Sequence, residues 1–436
     1  MSHPVLQKFL QVALGVFSAY VCLNLYAVPV GPKLPAEESK SSSTVIGPSY
    51  ERLDIPSLDF AVVVFDPQLD ANDDRMREKG VWPEVRKTES IRSAYRVKEA
   101  ITRLNQFDQV TVAPSASVSA DLYLRGKILE STSEIMKIRW NLIDARGFEW
   151  IDWKTSDHRV ALGWHQRFYE PGKDAFQPLW NEIARDVYDR LKDFAKNHAD
   201  IAKQNESRSD RGRSPRLSRL DEITHTRDLV LARFFAPDLY GDTIEVNDRD
   251  QWEIKYLPDP TTEEWLRIQA FSRKDQEVAS LYDKHYAGFF EQVNPNYEKW
   301  LNEVFPYARE MRLEERRYKV ERAVGGIVLA ASAVAAAEAD SEQARENALA
   351  LGSAIGGGLI FKSLIDRADF KENLGLFDEM SQSYHDTFAP VNLQIEGETV
   401  TLQGQAATQF ERWRQVVHDI YSHEQTDAYT IHIVDE

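Results

Sequence analysis

Residues 60–65 read FAVVVF, six apolar side chains in succession between Asp59 and Asp66. The run is too short for a buried helix and rich in β-branched valine, so it predicts a strand covered on both faces. Such a strand must sit inside a layered fold, with helices supplying the cover. The following segments fit that frame. Residues 90–104 place Ile91, Tyr95, Val97, Ala100, Ile101 and Leu104 at helical spacing. Strand signals come next at residues 109–112, 120–129 and 135–142, and a turn through Asp144, Ala145, Arg146 and Gly147 leads into a further strand over 148–153. Residues 174–202 form a strongly amphipathic helix. The expected order is β-α-β-β-β-β-α.

That order, carried by FAVVVFD, FDQVTVAPSA, ADLYLRGKILES and NLIDARGFEW over about residues 56–202, resembles the periplasmic α/β domain of the curli-export lipoprotein family and of the amino-terminal part of TolB-type translocation proteins. The shared elements are an Ala-Asp-x-x-x-x-Gly pattern (Ala120, Asp121, Gly126) and Asp-x-x-Gly (Asp144, Gly147). The resemblance implies an envelope protein, often an outer-membrane lipoprotein, in a group some of whose members assemble into rings; other envelope proteins and further copies of the chain are the expected partners. It carries over no catalytic residue.

Beyond an Arg/Ser stretch with Arg208, Arg211, Arg213, Arg216 and Arg219, read as a solvated linker over 203–220, aromatic residues gather at helical spacing. Thr261 or Thr262 is the expected N-cap of a helix over 263–293 carrying Trp265, Ile268, Phe271, Val278, Leu281, Tyr282, Phe289 and Phe290. Asn294 and Pro295 are expected to end it, and a second helix with a kink at Pro306 would pack antiparallel to the first. The aromatic stripe is read as core packing. Two small-residue runs follow, 325–337 (GGIVLAASAVAAA) and 348–360 (ALALGSAIGGGLI), joined by an acidic connector with Glu338, Asp340, Glu342 and Glu346. Small residues recur every fourth position, which lets two helix backbones approach closely; Gly325, Gly326, Ala330, Gly352, Gly356 and Gly357 are the expected packing positions. Each run would be about 20 Å long as a helix, short for a bilayer span, so packing within or between chains is expected, with membrane insertion or pore formation as the alternative. The tail predicts a hairpin around Glu396 and Gly397 and a helix over 406–421.

Lys8 precedes an uncharged apolar stretch, residues 9–30, followed by a Pro/Ser-rich tether over 31–55. This is the order of a secretory signal. Three fates stay open: cleavage after Ala27, lipidation at Cys22, where Val21 departs from the usual small residue, or retention as an anchor. Cys22 is the sole cysteine, so no internal disulfide forms and stability must come from burial. The net charge of -17 argues against nucleic acid as a partner.

Motifs for chemistry are missing. Residues 356–363 read GGGLIFKS, with Phe361 where a phosphate-binding loop needs glycine, and no Gly-x-Ser-x-Gly occurs. His158 with His165, and His418 with His423, lack the four-residue spacing of a helical metal clamp. No catalytic, cofactor or metal site is expected. The fold class is α+β, an N-terminal α/β sandwich-type domain followed by a mostly helical region with a Gly/Ala-rich helical hairpin. The expected units are 1–30 signal or anchor, 31–55 linker, 56–202 α/β domain, 203–220 linker, 221–322 aromatic-rich helical domain, 323–366 small-residue hairpin and 367–436 tail. The expected setting is the periplasm, free or attached to the outer membrane.

Overall fold

The computed structural model describes residues 49–72, 76, 81–161, 164, 173–336, 371–372, 374–376, 379, 391–395, 398–402, 406–423 and 431–433. The class is α+β. A five-stranded mixed sheet is built from β1 (Asp59–Val63), β2 (Gln109–Ala113), β3 (Leu122–Ser131), β4 (Ile135–Asp144) and β5 (Glu149–Arg159), in the order β2-β1-β3-β4-β5. Strand β1 lies parallel to both β2 and β3, and β3-β4-β5 form an antiparallel meander. The central place of β1 explains its apolar run, since Phe60, Ala61 and Val62 are all buried.

Helix α1 (Pro83–Thr102) is the crossover from β1 to β2 and opens on proline, whose missing N–H costs nothing in the first turn. It starts seven residues before the expected helix, because its first turns bury polar rather than apolar side chains: Arg86, Glu89, Arg92 and Arg96 are all enclosed. Helix α2 (Gln177–Ser209) covers the sheet with Trp180, Ile183, Val187, Leu191 and Phe194, and Phe194 stacks on Trp150 at 3.8 Å between centroids. At the β4-β5 turn Asp144 accepts from the amides of Arg146 and Phe148 at 2.9 and 3.1 Å, and Gly147 takes φ +83°, a conformation that favours glycine. Gly126 is needed for a different reason. A Cβ there would lie 2.7 Å from the Phe65 ring.

The expected linker is partly regular structure. Helix α2 runs through Ser209, and α3 (Arg219–Phe235) begins at once with a capping box between Ser218 and Asp221. After a short α4 (Pro237–Tyr240) comes a small hairpin that sequence periodicity did not reveal, β6 (Ile244–Val246) and β7 (Trp252–Ile254).

The expected break at Asn294 and Pro295 is not there, and neither is an antiparallel pair. One helix, α5 (Glu263–Ala336), runs 74 residues with Pro295 and Pro306 inside it. Interior proline costs about 3 kcal/mol through a lost hydrogen bond and a ring clash. Packing on both sides of Pro295 offsets this. Phe289, Val293, Tyr297, Trp300, Leu301 and Val304 are buried, Asn294 Oδ1 accepts from Arg92 Nε at 3.1 Å, and Tyr297 Oη donates to Glu89 Oε1 at 2.7 Å. Thr262 does act at the start, its Oγ1 accepting from the Trp265 amide at 3.4 Å. The helix also runs through residue 322, where the small-residue unit was expected to begin.

Helix α5 lies along α1 and the β2 edge, where Asp283 Oδ1 accepts from the Val112 amide at 2.8 Å and Asp283 pairs with Lys98. In the tail, β8 (Val391–Ile395) and β9 (Glu398–Leu402) form the expected hairpin, and β10 (Ile431–Ile433) adds to β8 as a third strand. Helix α6 (Ala406–His423) docks on α5 through buried Phe410 and Trp413. One hydrophobic cluster runs from Leu58 through α2, α3 and α5 to Trp413, so the sheet and the helices share a core.

Candidate functional site

Two adjoining cavities open where the sheet meets α3 and the β6-β7 hairpin. One, about 330 Å³, is walled by Val118, Ile143, Val230, Leu231, Phe234 and Trp252; the other, about 510 Å³, by Phe148, Leu217, Gln251, Ile254 and Tyr256. Arg146 and Trp252 line both. The hairpin is held over the β4-β5 turn by the Trp252 amide donating to the Arg146 carbonyl at 2.9 Å.

Three guanidinium groups reach the first cavity, each already held by carboxylates. Arg146 binds Asp144 through Nε and Nη2 and Glu222 through Nη1 at 2.7 Å. Arg414 of α6 binds Asp275 of α5 at 2.9 Å, and Trp413 Nε1 donates to the same carboxylate at 3.2 Å. Arg227 of α3 is the centre of the third group. Parallel pairing of β1 with β3 sets Phe60 beside Leu122, which brings the preceding residues, Asp59 and Asp121, together. Arg227 Nη1 lies 3.0 Å from one oxygen of each, and its Nε lies 3.0 Å from Asp228. Gln276 of α5 donates to Asp59 at 2.6 Å, and the Asp59 amide donates to Asp121 at 2.7 Å.

One guanidinium for three carboxylates leaves an excess of negative charge in a buried place. Burial, opposed by Arg227, pushes the Asp121 carboxyl up to about 7 and raises Asp59 as well. The Asp121 Oδ1 atom is enclosed and has no hydrogen-bond partner among the described residues. Asp59 and Asp121 do not line the cavity; Arg227 does. The arrangement therefore ties β1, β3, α3 and α5 together behind the cleft, and stores a proton near neutral pH.

A second enclosed network binds α1 to α5. Asp174 accepts from Arg92 and forms an ion pair with Arg96, whose Nε lies 2.9 Å away, while the Arg92 guanidinium lies over the Tyr297 ring, 4.2 Å from its centroid. Burial alone would raise Asp174, but Arg92 and Arg96 hold it down at about 2.

Of the positions singled out from sequence, Gly325, Gly326 and Ala330 fall in the last third of α5. Cys22, Gly352, Gly356 and Gly357 lie outside the described residues, as does the GGGLIFKS segment. His158 is on β5, where burial lowers its proton affinity, and His418 on α6 lies 5.5 Å from the Phe234 ring. His165 is outside the described residues. Among the described residues no three His, Cys, Asp or Glu side chains are placed to hold a metal, and no helix is long and apolar enough to cross a membrane. Asp121, Asp144, Gly126 and Gly147, noticed as pattern elements, prove to be a buried clamp residue, a turn former, a ring-contact glycine and a left-handed turn glycine. Arg227 and Gln276 carried no sequence signal, because the partners that place them, Asp59 and Asp121, are 106 to 217 residues away.

No family model, no curated protein and no solved structure matches the chain.

Proposed function

We propose that the chain is an exported cell-envelope protein that serves as an assembly component, joining other envelope proteins and further copies of itself. Helix α5 carries this reading. Its first part is locked into the body by buried aromatics, by ties to α1, and by Arg312 pairing at 2.6 Å with Glu134 in the β3-β4 turn. The same uninterrupted helix then continues through Gly325, Gly326 and Ala330 to Ala336. A rigid element that is core at one end and a small-residue face at the other transmits whatever the face packs against straight into the body. The apolar stretch at 9–30 and the resemblance over 56–202 support export and an envelope setting. The leader delivers the chain to the periplasm, and attachment to the outer membrane would run through Cys22 or the retained apolar stretch.

Light scattering on the full chain tests this. Wild type is expected to show a mass of several chains, and the double substitution Gly352→Leu with Gly356→Leu to reduce it toward one chain. A single-chain mass for wild type over a wide concentration range, or an unchanged multimer in the variant, contradicts the proposal.

A further inference from the structure

We infer that the solvent-facing side of the β3-β5 meander carries a binding site for a phosphoryl group, centred on Trp153 and gripped by Arg125, Lys127 and Arg139. The inference is independent of the assembly reading.

Strand alternation sends Leu122, Leu124 and Ile128 inward to the core and Tyr123, Arg125 and Lys127 to the opposite face. Register then collects the charges. Lys127 stands directly opposite Arg139 of β4, Arg125 opposite Asn141, and Arg139 opposite Thr155 of β5. Like charges facing each other across a strand pair are destabilising. Here a third cation joins them, and all three lie 5.6 Å from the centroid of the Trp153 ring. The indole face offsets part of that repulsion.

Little else offsets it. Asp66 reaches Lys127 at 3.8 Å, with both side chains over two-fifths exposed. Arg125 donates Nε to Asn141 Oδ1 at 3.1 Å, and among the described residues its Nη groups and the Arg139 guanidinium make no hydrogen bond or ion pair. Contact with one indole ring holds the three cationic groups close together while their N–H donors stay available, an arrangement suited to a tetrahedral oxyanion. The surroundings limit the size of the guest. Lys137 is offset by Glu130 at 3.9 Å and by Asp157 across the strand, and Glu149 accepts from Asn141 at 3.3 Å. The positive excess is thus confined to one head-group's breadth, in a chain of net charge -17 that would repel an extended polyanion. A single phosphoryl group, with up to two negative charges and three acceptor oxygens, matches three converging cations better than one carboxylate does.

Fluorine NMR of the full chain labelled with 5-fluorotryptophan reads this site, Trp153→Phe assigning its signal. The first 48 residues contain no tryptophan, so embedding of the leader does not place a reporter in lipid. Inorganic phosphate, glycerol phosphate, and vesicles of phosphatidylglycerol or of phosphatidylcholine are the probes, with acetate as the carboxylate control. A saturable shift of the Trp153 signal with phosphate and glycerol phosphate supports the site; a stronger response to phosphatidylglycerol vesicles than to either identifies a lipid head group as its source. Arg125→Glu with Arg139→Glu should abolish the response while the other nine tryptophan signals stay in place. Asp66→Asn removes the competing carboxylate and should tighten binding about two- to fivefold. No shift with any phosphoryl probe, or an equal shift with acetate, overturns the inference.

Discussion

Asp121 and Asp174 are both buried carboxylates beside arginine, yet their proton affinities move in opposite directions. Asp174 faces two guanidinium groups, Arg92 and Arg96, and accepts from the Phe176 amide, so ionisation is favoured down to about 2. Asp121 shares Arg227 with Asp59 and Asp228, and burial dominates, so it holds its proton up to about 7. The stability consequences have opposite signs. Asp121 contributes stability that is fully present below its unfolded value near pH 4 and is lost as pH rises through about 7. Asp121→Asn should therefore gain on wild type in urea unfolding between pH 4 and pH 7.5, by a few kcal/mol. Parallel pH profiles for the two proteins would contradict the assignment. Asp174 contributes stability present above pH 4 and lost as pH falls toward 2. Asp174→Asn leaves Arg92 and Arg96 buried without their counter-charge and should cost about 3 to 5 kcal/mol at pH 7, the gap closing below pH 3.

At the scale of elements, α5 shows packing overruling a local rule. If Pro295 lies inside a helix held by its neighbours, Pro295→Ala restores a backbone donor and should stabilise the protein by about 1 to 3 kcal/mol, seen as a higher urea midpoint. A neutral or destabilising result would mean the chain breaks there. The prolines alone could not announce their tolerance, since the compensating contacts come from Arg92 and Glu89, more than two hundred residues away. The sheet was far more legible. Strand β1 follows from its continuous apolar run, β2 to β5 from strand patterning, and the turn at Asp144 from turn chemistry, all local signals. The first turns of α1 were hidden because Arg86, Glu89 and Arg92 sit where apolar residues would mark a buried face. The β6-β7 hairpin was hidden by three-residue strands with exposed Val246 and Glu245, too short for any period to register. The cleft these elements form was illegible for the same reason. Its walls come from five separate stretches of chain.

For the whole molecule, the shared core changes what the composition suggested. The α/β sheet and the aromatic helices are not beads on linkers, because Asp283, Asp275 and Gln276 of α5 each bond directly to sheet residues or to the α6 helix docked beside them. Helix α5 thus links that shared core to its far part as one continuous element. That coupling is the central claim, and a spin-label distance across α5 tests it most directly. With Cys22 replaced by serine, labels at Lys299 and Ser332 stand 33 residues apart, about 50 Å along a continuous helix. Double electron–electron resonance should give one narrow distribution near that value. A broad distribution, or one centred well below about 40 Å, would show that the helix breaks before the small-residue face and would contradict the account.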